Sequence, residues 1–312
     1  MPRRVRFIPE GGSLVEVSCR TVQSRYLLRP CPALDEILLG VLGRAQRLHP
    51  VQICGLSFLS NHYHMLLWVP DAESLSQFMW YFQTNAAREV ADLTDWPDKV
   101  WSRRYDAIPV SDEPAAQVDR LRYVLANGVK EGLVARVEEW PGINMARAVL
   151  EGKPLQGTWF DRTAEYRAKL RGEDFEPRRF ATEETVALSQ LPCWSHLSPE
   201  AYRDRIAGLI GEIESDAAAE RELTGREPLG REAILRQHPH TRPNQTKKSP
   251  CPLFHAAGKA AREELRKAYG LFLAAFLEAA EKLRAGDRLA RFPEGCFPPR
   301  LPFVRLCATG PP

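Results

Sequence analysis

Apolar and polar positions alternate with two different periods along the first half of the chain, and the order of those periods predicts its elements. Leu14-Val15-Glu16-Val17-Ser18-Cys19 reads as a strand, and Ala33 to Leu48 has helical spacing. Asp35 and Glu36 stand in the first turn of that helix, where the helix dipole favours anions. Val51 to Phe58 alternates as a second strand, turns at Ser60-Asn61, and gives way to a third from His62 to Val69, closed by Pro70. Ser74-Leu75-Ser76-Gln77 has the form of a capping box and predicts a helix to about Val90. A strand is expected from Val100 to Val110, and a helix from about Glu113 to Asn127, stopped by Gly128. The order β-α-β-β-α-β-α is a split βαβ plan with one extra helix.

The pattern changes after Gly152-Lys153-Pro154. Ser198-Pro199-Glu200 opens a helix reaching Leu223, with Pro at the favoured first position. Residues 236–252 are rich in Pro, His, Asn, Thr and Lys and predict a loop, and a long helix follows over roughly 256–285. Recurrent proline in the tail from Phe292 excludes regular structure there. The expected class is α+β: residues 1–150 form a domain of split βαβ type, and residues 151–312 a mainly helical extension of unassigned role.

Composition narrows the class without naming a function. The 312 residues carry 43 Lys+Arg against 40 Asp+Glu, 44% hydrophobic and 27% charged residues, values of an ordinary globular protein. That balance excludes a collagen-like chain, wholesale disorder and a histone-like polybasic binder. Seven scattered cysteines without a C-x-x-C pair give no zinc ribbon or thioredoxin-like site and fit free thiols in a reducing cytoplasm. No signal-peptide run opens the chain, and the apolar stretch from Tyr269 to Ala280 is too short to span a bilayer. The charge is unevenly spread: residues 226–267 hold ten Lys/Arg and four Asp/Glu, a candidate clamp for nucleic-acid phosphates or a solvated helix face.

Candidate chemistry lies in two short patterns. His62 and His64 flank Tyr63 on a predicted strand, so their imidazoles share one face and can share a divalent metal; such a pair is also common by chance. Tyr123 and Asn127 lie one helical turn apart, outside the apolar stripe of Val118, Leu121, Val124 and Leu125, together with Arg120. A second pair, His238-Pro239-His240, falls in the proline-rich stretch and is expected to be a solvated loop.

Taken in order, Leu59–Trp68, Leu75–Met79, Asn85, Val100–Tyr105 and Arg122–Val134 resemble the HUH single-tyrosine transposases, particularly the REP-associated tyrosine transposases of bacteria. The resemblance covers Leu14 to about Val134 and implies a ferredoxin-like catalytic domain. It implies Mg²⁺ or Mn²⁺ held by His62 and His64, with Asn127 completing the site. Tyr123 matches the nucleophile, which attacks the scissile phosphate of single-stranded or hairpin DNA, gives a 5′-phosphotyrosine and frees a 3′-OH. Two departures stand out: Asn127 is followed by Gly128 where the family commonly has Pro, and Ser60 replaces the usual Pro before Asn-His.

Candidate DNA contacts are Arg103, Arg104 and Tyr105, read as one strand combining phosphate pairing with base stacking, and also Arg120, Lys247 and Lys248. The main alternative is a domesticated relative that holds hairpin DNA without cutting it. The His62, His64, Tyr123 and Asn127 set favours an enzyme, because binding alone needs none of these side chains.

Overall fold

A computed structural model describes residues 6–244 and 252–299. Its first half is built from strand β1 (Ser13–Arg20), helix α1 (Pro32–Leu48), strands β2 (Gln52–Leu59) and β3 (His62–Val69), helix α2 (Ala72–Thr94), strand β4 (Asp106–Val110) and helix α3 (Pro114–Lys130). The strands form one antiparallel sheet in the order β2-β3-β1-β4, the split βαβ topology the periodicity predicts.

Both sheet faces are covered, which explains why these strands read as near-continuous apolar runs. On one face Tyr63 packs edge-on against Phe82 of α2, their ring centres 5.6 Å apart. The other face meets α3: a Cβ added at Gly55 in β2 would lie 3.5 Å from Leu121 and 3.6 Å from Val124. Strand register then decides which polar side chains look at α3. His64 stands opposite Ser18 and Ser57, while Glu16 stands opposite Leu66 and Ile108. Glu16, Ser18, His62, His64 and Asp106 therefore share the α3 face.

Three local expectations are corrected. The cap of α2 is Asp71, whose carboxylate accepts from the Ser74 N–H at 2.6 Å, rather than a Ser74–Gln77 capping box. The strand before α3 is shorter than 100–110, because residues 102–104 bend and only Trp101 makes an isolated bridge, to Thr21. Helix α3 does not stop at Gly128 but continues to Lys130 and closes on Gly132 at φ +66°. There Gly132 N–H donates to Val129 O and Leu133 N–H to Gly128 O, a Schellman pair. Gly128 instead serves packing, since a Cβ there would sit 3.3 Å from Val134.

The second half is mainly helical, with α4 (Met145–Glu151), α5 (Arg162–Leu170), α6 (Pro199–Thr224), α7 (Arg231–Leu235) and α8 (Lys259–Arg284). It also holds an antiparallel ribbon absent from the sequence reading, β5 (Leu155–Phe160) with β6 (Ala181–Val186). The ribbon lies on α1 so closely that a Cβ at Gly40 would meet the Thr158 carbonyl at 2.2 Å, and one at Gly157 would meet Glu36 O at 2.1 Å. Buried Glu184 in β6 pairs with Arg44 and Arg47 of α1, at 3.0 and 2.9 Å. No helix among the described residues is long and apolar enough to cross a membrane.

Candidate active site

His62 and His64 project from β3 with ring centres 5.2 Å apart. The strand period puts them on one face, and the β2–β3 turn at Ser60-Asn61 fixes the end on which they stand. Each ring has its Nδ1 engaged. His62 Nδ1 lies 2.6 Å from Asn61 Oδ1, and His64 Nδ1 lies 3.1 Å from Glu16 Oε1. An amide oxygen and an ionised carboxylate only accept, so both rings donate from Nδ1, and a neutral ring so held turns its Nε2 lone pair to the metal side. That is the tautomer of a metal-ligating histidine whose other nitrogen is held by an outer oxygen. Burial first, then the fields of neighbouring His64 and Arg20, hold His62 well below its usual pKa and keep it neutral.

Glu16 is buried, and burial by itself would raise its pKa. Contacts with His255 and His64 outweigh that and hold the carboxyl well below the usual carboxylate range. Its Oε2 lies 2.9 Å from His255 Nε2 and 3.5 Å from Arg120. Arg120 also contacts Asp119 and stands 5.0 Å over the Tyr123 ring, so its charge is shared between two carboxylates and the phenol.

Helix α3 brings Tyr123 to the histidines: its ring centre is 5.3 Å from that of His64, at 73°. Lys130, nearly two turns on, places its Nζ 4.2 Å from the same ring centre. Burial, then the negative charges of Glu16 and Glu131, raise the phenol above its usual pKa, against the pull of Arg120 and Arg20. Tyr123 is thus a neutral phenol at pH 7, with two cations placed to stabilise its phenolate.

Asn127 points inward from the next turn and is 1% exposed, its carboxamide nitrogen buried without a hydrogen-bond partner. Such an orphan costs about 1–3 kcal/mol. Two imidazoles engaged at Nδ1 turn their other nitrogens to one side and fit a divalent ion, whereas the orphaned Asn127 nitrogen is a donor, so a ligand role there would fall to Asn127 Oδ1. Among the described residues no cluster of three or more His, Cys, Asp or Glu side chains could hold a metal, so the third protein donor would be this amide.

The remaining candidates separate. Arg103 is exposed and pairs with Asp106 at 2.5 Å. Arg104 is exposed beside Tyr105, its guanidinium 5.7 Å from that ring. Both sit on the bend before β4, not on a strand. Tyr105 is buried, with Arg6 4.9 Å from its ring, and presents no open stacking face. Lys247 and Lys248 lie outside the described residues. His240 is not a free loop side chain: its Nε2 is 2.6 Å from Thr94 O and its ring 5.2 Å from that of Trp96.

Sequence reasoning missed Glu16, Lys130 and His255. Glu16 carried one signal, a lone carboxylate inside an apolar strand. His255 carried none, because it lies 191 residues after His64 and only tertiary structure joins them.

No protein-family model matches the chain, and no curated protein matches it. Among solved structures it is similar to a REP-associated tyrosine transposase bound to a REP hairpin, at 19% identity and a TM-score of 0.39, over 49% of this chain and 87% of that one. It is also similar to a candidate transposase from Deinococcus radiodurans R1, at 16% identity and a TM-score of 0.28, over 38% of this chain and 94% of that one. At these scores the likeness carries no functional weight. The α+β class and the site rest on the chain's own topology and side chains.

Proposed function

We propose that the protein is a DNA-processing enzyme of the HUH single-tyrosine transposase kind, which cleaves and rejoins single-stranded or hairpin DNA through Tyr123. The observation that supports this most is the placement of Tyr123 of α3 against His64 of β3, with both histidines of the pair engaged at Nδ1 by neighbouring oxygens. A structural metal site has no use for a tyrosine there, and a passive DNA-binding face has no use for pinned imidazoles.

His62, His64 and Asn127 would hold Mg²⁺ or Mn²⁺, which when bound polarises the scissile phosphate and offsets its charge. Imidazole donors favour Mn²⁺ over Mg²⁺ as the better fit. The Tyr123 oxygen attacks phosphorus, the P–O3′ bond breaks, and the released 3′-oxygen leaves as a hydroxyl after taking up a proton. The phenol proton passes to solvent as the new P–O bond forms. Arg120 and Lys130 stabilise the developing phenolate through their position over the ring. The phosphotyrosine conserves the phosphodiester, so attack by a 3′-OH reverses the step without ATP.

The test is incubation of the protein with labelled, hairpin-bearing single-stranded DNA and Mn²⁺. A covalent adduct is expected that vanishes in EDTA and in Tyr123→Phe. Hairpin binding with no adduct under any divalent metal would leave a non-catalytic binding protein instead.

A further inference from the structure

We infer that the second half of the chain is a working part of this site: His255 is a positioning residue that holds Glu16, and Glu16 in turn fixes the tautomer and orientation of His64. The metal-binding consequence rests on the proposed function above, whereas the Glu16–His64 relationship stands by itself. Three observations carry it.

The first is the division of labour within one carboxylate. Glu16 engages His64 Nδ1 through Oε1 at 3.1 Å, and its Oε2 lies 2.9 Å from His255 Nε2, a close polar contact in which neither atom completes a hydrogen bond. A buried glutamate has several rotamers open to it, and engagement of one oxygen alone leaves the group free to swing about its terminal bond. With His255 Nε2 packed 2.9 Å from the second oxygen, that swing is restricted. Arg120, 3.5 Å from Oε2, is the other neighbour on that side.

The second is how firmly His255 is delivered. Its N–H donates to Pro109 O at 2.8 Å and its carbonyl accepts from the Ser111 N–H at 2.8 Å, so residue 255 lies alongside the end of β4. Two residues later the chain is gripped again, as the Glu113 carboxylate accepts from the N–H groups of Ala257 and Gly258, both at 2.9 Å. Ser111 Oγ donates to the same carboxylate at 2.7 Å. Gly258 fits because it lacks a Cβ, which would lie 2.6 Å from Glu113 Oε1.

The third is what the arrangement leaves undone without this role. Glu16 sits on the central strand of the sheet at 5% exposure, where an isolated carboxylate is costly. Its contacts lead to His64, His255 and Arg120, and none of these is a core-packing partner. A buried carboxylate joining a site histidine to a histidine 239 residues away is an outer support for the site rather than a packing element.

The experiment reads two signals. In metal-free protein, ¹⁵N spectra of the histidine rings should show His64 as a single Nδ1–H tautomer. Glu16→Ala and His255→Ala should each turn it into a tautomer mixture, more completely in Glu16→Ala. Mn²⁺ titration should then show affinity falling about 10- to 100-fold in Glu16→Ala, as for other lost outer supports, and by a smaller factor in His255→Ala. His255→Gln, which keeps a donor N–H, and Glu16→Gln, which keeps an acceptor for His64, should recover part of both signals while matching the alanine variants in thermal stability. A single unchanged His64 tautomer in both alanine variants would overturn the inference. If the wild type binds no Mn²⁺, the metal reading fails alone, and the tautomer spectra still decide the positioning role. Should an alanine variant not fold, its glutamine counterpart decides: a His64 spectrum and Mn²⁺ affinity unmoved in both glutamine variants would count against it.

Discussion

His64 and Tyr123 meet edge to face, 5.3 Å between ring centres, although one comes from the middle of the sheet and the other from a helix laid across it. The pair is held from both sides. Glu16 fixes the histidine from β1, and Arg120 and Lys130 bracket the phenol from α3. On the proposed function, the nucleophile and one metal-ligating imidazole would thereby be set before any substrate arrives, which would lower the cost of organising the reaction.

The nucleophile assignment gives the first expected outcome. Tyr123→Phe keeps the ring contact with His64 and removes only the oxygen, so folding and DNA binding persist while the covalent adduct is lost. His62→Ala with His64→Ala should lose metal-dependent cleavage. Adduct surviving Tyr123→Phe, seen on a denaturing gel, would point to another nucleophile.

Burial and the negative charges of Glu16 and Glu131 raise the Tyr123 pKa, so the phenol is protonated at neutral pH. Single-turnover adduct formation should therefore accelerate with pH from 6 to 9, by up to about tenfold per unit where proton loss precedes attack. Arg120→Ala removes a cation that holds the phenol's pKa down, 5.0 Å from the ring centre, and should displace the profile to higher pH. A flat profile, or a displacement to lower pH, contradicts the role given to this cation.

The α1–ribbon contact depends on two glycines. Gly157→Ala would place a methyl group 2.1 Å from Glu36 O, and Gly40→Ala one 2.2 Å from Thr158 backbone. Overpacking of this kind costs about 1–3 kcal/mol, more where backbone must move. Urea unfolding should show that loss, and a Gly208→Ala control, with open space around it, should not.

Asp35 gives a pH-dependent prediction away from the site. Burial pushes its carboxyl up to about 7. The folded state keeps the proton above pH 4 while the unfolded chain gives it up, so this residue lowers stability as pH rises from about 4 to about 7. Asp35→Asn should stabilise the protein at pH 8, by on the order of 1 kcal/mol given partial exposure, and lose that advantage near pH 4. An equal effect at both pH values, measured by denaturant unfolding, would remove titration as the cause.

The two arginines of the bend should differ in DNA binding. Arg103 is already paired with Asp106, whereas no acidic partner accompanies Arg104 among the described ion pairs. If Arg104 neutralises one phosphate, Arg104→Ala lowers the slope of log affinity against log salt by about 0.7 for single-stranded DNA. Arg103→Ala should change it less. The reverse order, read from fluorescence anisotropy across a salt series, would show that Asp106 releases Arg103 when DNA binds.

The sequence by itself determined the order and type of the elements in the first half, because their periods of 2 and 3.6 are local properties of neighbouring residues. It also determined that His62 and His64 share a face and that Tyr123 and Asn127 share another, since those spacings need only a strand and a helix. Boundaries set by a bond to a later residue were less legible: α3 overran Gly128 because its closing bonds come from Gly132 and Leu133. Tertiary structure alone decided that the two pairs converge, since strand register and the crossing of α3 over the sheet are set by packing among distant residues. It alone placed Glu16 beside His64, across a strand pair whose register local alternation does not specify. It alone brought in His255, through backbone bonds to Pro109 and Ser111 made far away in the chain. A side chain's periodicity is written in its neighbours, but its hydrogen-bond partner is chosen by whichever part of the fold arrives opposite it.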